Sequence, residues 1–103
     1  MAHLLFVTCP DEETASSIAR TLLQEQLAAC VNIVNGVRSL YVWDGKIQED
    51  DERLLLIKTS TKDLMALEER VHALHPYDTP EFLIVKPEYI SQAYLSWMTG
   101  CCE

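Results

Sequence analysis

Glycine occurs three times in 103 residues, and none of the three belongs to a glycine-rich loop. That removes the backbone cradle on which phosphate sites are built. Basic residues are also scarce, with 8 Lys plus Arg against 16 Asp plus Glu and a net charge of −8. A surface of that sign repels nucleic acid and anionic membranes, and it attracts cations. No C-x-x-C pair occurs, and two of the four cysteines are the adjacent Cys101 and Cys102, so no disulfide framework is expected. There is no long apolar run. His3 to Val7 is soon followed by Pro10 and three acids, which excludes a signal core or membrane span there and points to a cytoplasmic protein. No serine lies in a nucleophile elbow, and no nucleophile, base and orienting acid assemble, so no enzymatic reaction is expected.

What is present is a single domain's worth of apolar residues, 49% of the chain, arranged around one long β-hairpin. Asp44-Gly45 separates two extended runs, Val31 to Trp43 and Lys46 to Thr59, and both turn residues tolerate the positive φ of a type I′ turn. At about 3.3 Å per residue each arm reaches roughly 40 Å, well beyond an ordinary strand. The far half must twist free, bend or pair with another chain. Asn35-Gly36 marks the point where a bulge is cheapest.

The remaining elements follow from periodicity. His3 to Thr8 reads as a buried strand. Pro10 in a first turn, followed by Asp11, Glu12 and Glu13, opens a helix with Ala15, Ile18, Ala19, Leu22 and Leu23 on its apolar stripe. Thr61 is placed to cap a second helix carrying Leu64, Leu67, Val71 and Leu74, which His75-Pro76 ends. Glu81 to Lys86 reads as a strand, and a short last helix from about Ile90 to Met98 is expected to bury Ala93, Tyr94 and Trp97 and to stop at Gly100. The order strand, helix, strand, strand, helix, strand predicts an α+β, ferredoxin-like βαββαβ domain over 1–103. It has a four-stranded antiparallel sheet, a protruding hairpin and a C-terminal helix.

Three groups of residues carry candidate chemistry. Cys9 lies where the first strand meets the first helix, a junction that favours a thiolate and a soft metal. Leu74 to Glu81 is a loop stiffened by two prolines that presents His75, a borderline imidazole ligand, together with Tyr77, Asp78 and Glu81; His72 is at best a supplementary ligand. Tyr41, Trp43, Lys46 and Lys58 on the hairpin form an aromatic and basic set suited to a small anion. Each group also has a structural role open to it: a core cysteine, a helix stop, and routine cross-strand aromatic packing. The acidic run Glu49 to Glu52 reads as a solvated edge that deters wrong pairing.

Taken together, Thr8 to Ala15 (TCPDEETA), Leu27 to Ile47 (LAACVNIVNGVRSLYVWDGKI), Leu55 to Thr59 (LLIKT), His75 to Glu81 (HPYDTPE) and Tyr94 to Trp97 (YLSW) resemble the CutA family of divalent-cation tolerance proteins. The resemblance covers nearly the whole chain in the family's order. It implies a cytoplasmic homotrimer of ferredoxin-like subunits, similar in build to PII-type signalling proteins, with long hairpins pairing between subunits. It also implies weak binding of divalent cations such as copper, with His75 of the HPY motif as a ligand; Cys9 is a candidate metal ligand from its strand–helix junction, not from the resemblance. Some members carry a cysteine where this chain has Val7. Tyr41, Trp43, Lys58, Tyr77, Glu81 and Trp97 match recurrent family positions, for which the resemblance implies either lining clefts between subunits or stabilising the trimer. The alternative function is a PII-like sensing or interaction module whose intersubunit clefts hold a small anionic ligand near Lys58 and Trp43.

Overall fold

The computed structural model describes residues 1–102. Its elements are β1 (His3–Cys9), α1 (Glu12–Gln24), β2 (Cys30–Trp43), β3 (Lys46–Thr59), α2 (Leu64–Leu74), β4 (Leu83–Val85) and α3 (Gln92–Cys101). The strands form one antiparallel sheet in the order β2-β3-β1-β4, the ferredoxin-like arrangement expected from the sequence.

Alternation along the strands decides which side is covered. Leu5, Val7 and Cys9 of β1 and Leu55 and Ile57 of β3 point one way and are fully buried against Ala15, Ile18 and Leu22 of α1 and Leu67 and Val71 of α2. Each such aliphatic side chain contributes about 1.5–3 kcal/mol by leaving water. The two helices are also tied at the surface, where Arg70 donates to both carboxylate oxygens of Glu25 at 3.0 Å.

Among the described residues, the other face carries no helix layer beyond α3 at its Leu4 and Lys58 end. Leu4, Phe6, Leu54 and Leu56 lie half-buried on it, beside the exposed Val34, Leu83 and Val85. Both outer strands of the described sheet, β2 and β4, have an unpaired edge.

The hairpin has the geometry its sequence demands. Asp44 and Gly45 take φ of 54° and 73°, so both turn residues are left-handed, as a type I′ turn requires. Val34 pairs with Leu54 and Val37 with Glu52, so Asn35 and Gly36 form a bulge, with Gly36 at φ 73°. The extra residue inverts the facing of β2. Before it, even-numbered residues of β2 share a face with even-numbered residues of β3; beyond it, Val37, Ser39, Tyr41 and Trp43 do. Because β1 pairs with β3 only from Arg53 to Thr59, residues 37–52 project as a two-stranded ribbon, and the molecule extends 44 × 26 × 22 Å.

Several local expectations are corrected. Pro10 precedes the cap of α1 rather than lying in its first turn: Asp11 is the cap, its side chain accepting from Thr14 N at 2.8 Å. Leu23 faces solvent. Asp63, not Thr61, caps α2 through Ala66 N at 3.0 Å; Thr61 instead makes a turn in which its Oγ1 accepts from Asp63 N at 3.3 Å. The last strand is only Leu83–Val85, because Pro80 and Pro87 bracket the segment and lack the N–H a ladder needs. Helix α3 starts at a Ser91 cap and runs through Gly100. Met98, rather than Ala93, Tyr94 or Trp97, is its buried residue.

Candidate functional site

A groove of about 650 Å³ opens where the ribbon leaves the sheet. Thr8 of β1, residues 38–41 and Trp43 of β2, Glu52 of β3 and the loop residues Tyr77, Asp78, Thr79 and Glu81 line it. The bulge builds one wall. By turning Tyr41 and Trp43 to the side of Asp50 and Glu52, it lets the Tyr41 hydroxyl donate to Asp50 Oδ2.

The prolines build the opposite wall. His75 ends α2 in an extended conformation, φ −88° and ψ 137°, as a residue before proline must. The residue is 7% exposed, and its imidazole clamps two chain segments together. Nε2 donates to the carbonyl of Thr8 at 2.7 Å, while Nδ1 accepts from Tyr77 N at 3.2 Å. Tyr77 is thereby aimed across the groove, and its hydroxyl donates to Glu52 Oε2 at 3.1 Å.

The electrostatics are one-sided. Burial, then the charge and hydrogen bond of Glu52, push the Tyr77 phenol up to about 12, so it stays a neutral donor. Glu81 is raised above the ordinary carboxylate value, first by desolvation and then by Glu52. The one basic residue that lines the groove, Arg38, is paired with Glu49, its Nε 2.8 Å from Oε2. Three carboxylates, Glu52, Asp78 and Glu81, and three aromatic rings, Tyr41, Trp43 and Tyr77, therefore border the groove.

Of the residues singled out from sequence, Tyr41, Trp43, Tyr77 and Glu81 come together here. Lys58 and Trp97 do not, within one chain. Lys58 pairs with Leu4 near one end of β3, whereas Trp43 pairs with Lys46 at the other. Lys58 borders a separate hollow of about 170 Å³ with His3, Tyr94 and Met98, and Trp97 packs on Tyr94 with ring centroids 5.4 Å apart. A single-chain anion site joining Lys58 to Trp43 is thus ruled out by distance along the strand.

Cys9 lies behind the sheet rather than in the groove. It is fully buried on the helix face, and burial, followed by Glu52 and Asp11, pushes its thiol up to about 12. It is a packed thiol at neutral pH, with no thiolate to offer a soft metal.

Glu52 is the residue that sequence reasoning missed. The run Glu49 to Glu52 reads as a solvated edge, yet Glu52 is 6% exposed. The signal lies in the alternation: Glu52 is two residues before Leu54, so it shares that residue's face.

A divalent cation has to be weighed against these donors. Among the described residues, no group of three or more His, Cys, Asp or Glu side chains converges to hold a metal ion. His75 spends both ring nitrogens on the backbone. A closed, tight centre within one chain does not fit; an open carboxylate pair, Glu52 and Glu81, fits a hard or borderline cation held weakly.

Comparison with known proteins gives the lineage. The divalent-cation tolerance protein CutA of Thermus thermophilus is 47% identical over 98 residues, covering 95% of each chain. The structure of the divalent cation tolerance protein Cut A1 from Thermus thermophilus superposes with a TM-score of 0.96 at 45% identity over the whole of both chains. A structure from Archaeoglobus fulgidus, named a periplasmic divalent cation tolerance protein, gives 0.95 at 33% identity, again over the whole of both chains. The CutA1 divalent ion tolerance family matches residues 3–101, and the chain belongs to that family.

Proposed function

We propose that the protein serves divalent-cation tolerance as a cytoplasmic homotrimer that binds copper-class ions weakly and reversibly, without catalysing a reaction. The acidic groove is the observation that carries this reading: Glu52 and Glu81 line one cleft whose basic residue, Arg38, is paired with Glu49, and desolvation and then the charge of Glu52 raise the cost of charging Glu81. A cation relieves that cost. Glu52 and Glu81 are the primary donors, and His75 joins as a nitrogen ligand by giving up the longer of its two hydrogen bonds, the 3.2 Å contact to Tyr77 N. Cys9 takes no part while its thiol is protonated.

Self-association is supported by the largely bare sheet face and by β2, a 14-residue edge strand. Long open edges and apolar faces are ordinarily covered. Calorimetric titration with Cu(II), in protein carrying Cys101→Ser and Cys102→Ser, tests the cation reading. Glu52→Gln/Glu81→Gln is expected to abolish the heat and His75→Ala to weaken binding by less; unchanged binding in the carboxylate variant overturns it.

A further inference from the structure

Cys101 and Cys102 are the one adjacent pair of thiols in the sequence, and both are partly accessible. Helix α3 brings them to the end of β3 remote from the ribbon, where Cys102 Sγ lies 3.6 Å from Thr59 Oγ1. The hydroxyl proton of Thr59 goes to the carbonyl of Leu27 at 2.7 Å, so its oxygen receives the Cys102 S–H. Ser60 fastens the last turn of α3 by donating to Met98 O at 3.3 Å. The thiol is thereby held against β3.

Two further donors stand beside it. Met98, buried in the fold, precedes the cysteines by three and four residues, the spacing that stacks side chains on one helix face. His3 pairs with Thr59 across β1 and β3, so both side chains leave the sheet on the same side, the one that carries Leu55 and Ile57. His3 and Met98 also border one hollow of about 170 Å³. Among the described residues His3 Nδ1 is buried with no hydrogen-bond partner. An unpaired buried imidazole nitrogen is costly, and a bound ion relieves that cost.

Softness decides the ion. Thiolate and thioether ligands select Cu(I) over hard divalent ions. Among the described residues no three His, Cys, Asp or Glu side chains converge as a closed divalent centre needs. A soft monovalent ion asks for less: two thiolates and one weaker donor satisfy it.

We propose that Cys101 and Cys102, with Met98 and His3 beside them, form a binding site for a soft monovalent metal ion of the Cu(I) class. Each thiol gives up its proton as its sulfur–metal bond forms, and no electron is transferred. The site stands apart from the carboxylate groove in position and in ligand chemistry.

Anaerobic titration of the intact protein with Cu(I), against bicinchoninate as a coloured competitor, tests it. The expected affinity is weaker by roughly tenfold or more in Cys101→Ser and in Cys102→Ser, as loss of a ligand requires. It is several-fold weaker in Met98→Leu or in His3→Ala and unchanged in Cys30→Ser. Met98→Leu nearly preserves side-chain volume, and circular dichroism verifies each fold. Unchanged affinity in either Cys101→Ser or Cys102→Ser overturns the proposal, as does weakening in Cys30→Ser. Unchanged affinity in both Met98→Leu and His3→Ala also overturns it, since the result is then an adventitious ion only, on a bare dithiol. The Cu(II) titration uses protein without these two thiols, so failure of either reading is seen separately from failure of the other.

Discussion

Tyr77 and Glu52, 25 residues apart in sequence, meet through a 3.1 Å hydrogen bond from the phenol to Oε2, and that bond joins the loop after α2 to the ribbon. Glu52 is a nearly buried carboxylate, and the Tyr77 hydroxyl is a hydrogen-bond donor to it. Tyr77→Phe is expected to lower unfolding free energy by about 1 kcal/mol, less than the usual contribution of a bond to a charged group because Tyr77 is partly exposed. Urea denaturation measures it. A variant as stable as the parent contradicts a structural role for the pair.

Cys9 is expected to be silent toward thiol reagents in the folded protein. Its thiol is fully buried and raised to about 12, whereas Cys30, Cys101 and Cys102 are all partly accessible. Iodoacetamide at neutral pH followed by peptide mass spectrometry should label those three and spare Cys9 until guanidinium is added. Early labelling of Cys9 contradicts its placement behind the sheet.

Glu81→Gln has an effect whose sign follows from linkage. A carboxyl raised above its ordinary value of 4.5 in the folded state binds more protons folded than unfolded. Stability therefore rises as pH falls through that window and is reduced above it. At pH 7 the glutamine variant is expected to be slightly more stable, by less than about 1 kcal/mol because the group is largely exposed, and the gain vanishes once both forms are neutral at low pH. Thermal melts across pH 3 to 8 resolve this; a variant destabilised at pH 7 contradicts it. Cation binding should weaken on acidification starting above the ordinary carboxylate range.

In the proposed homotrimer the ribbon and the bare face are the assembly surfaces. Trp43→Glu at the ribbon tip, or Phe6→Glu on the uncovered face, is expected to shift the mass measured by light scattering from trimer toward monomer. If both variants remain trimeric, contacts elsewhere hold the subunits together.

Much of this architecture is written in local signals. Asp44-Gly45 announces its turn because both residues accept positive φ, and Asn35-Gly36 announces its bulge for the same reason. The apolar stripes of α1 and α2 locate the core almost residue for residue. The groove is only half legible. Tyr77 and Glu81 stand in a proline-stiffened loop that sequence can flag, and Tyr41 and Trp43 in a recognisable ribbon, but their meeting depends on the inverted alternation beyond Gly36. Glu52 is hidden by its acidic neighbours, since a charge run gives no sign of which member turns inward. His75 is visible as an imidazole, whereas its engagement by Thr8 O and Tyr77 N is a property of tertiary placement. Within one chain Lys58 and Trp43 lie at opposite ends of the paired strands β2 and β3, a separation that the length of the hairpin arms sets.

The central claim is that cations are received by the carboxylates of the groove. Crystals of the intact protein soaked in Cu(II) and measured at the copper absorption edge test it most directly. The expected result is an anomalous peak between the Glu52 and Glu81 carboxylates, on the side from which His75 can reach. A peak confined to Cys101 and Cys102, or at His75 with neither carboxylate near it, would contradict the account.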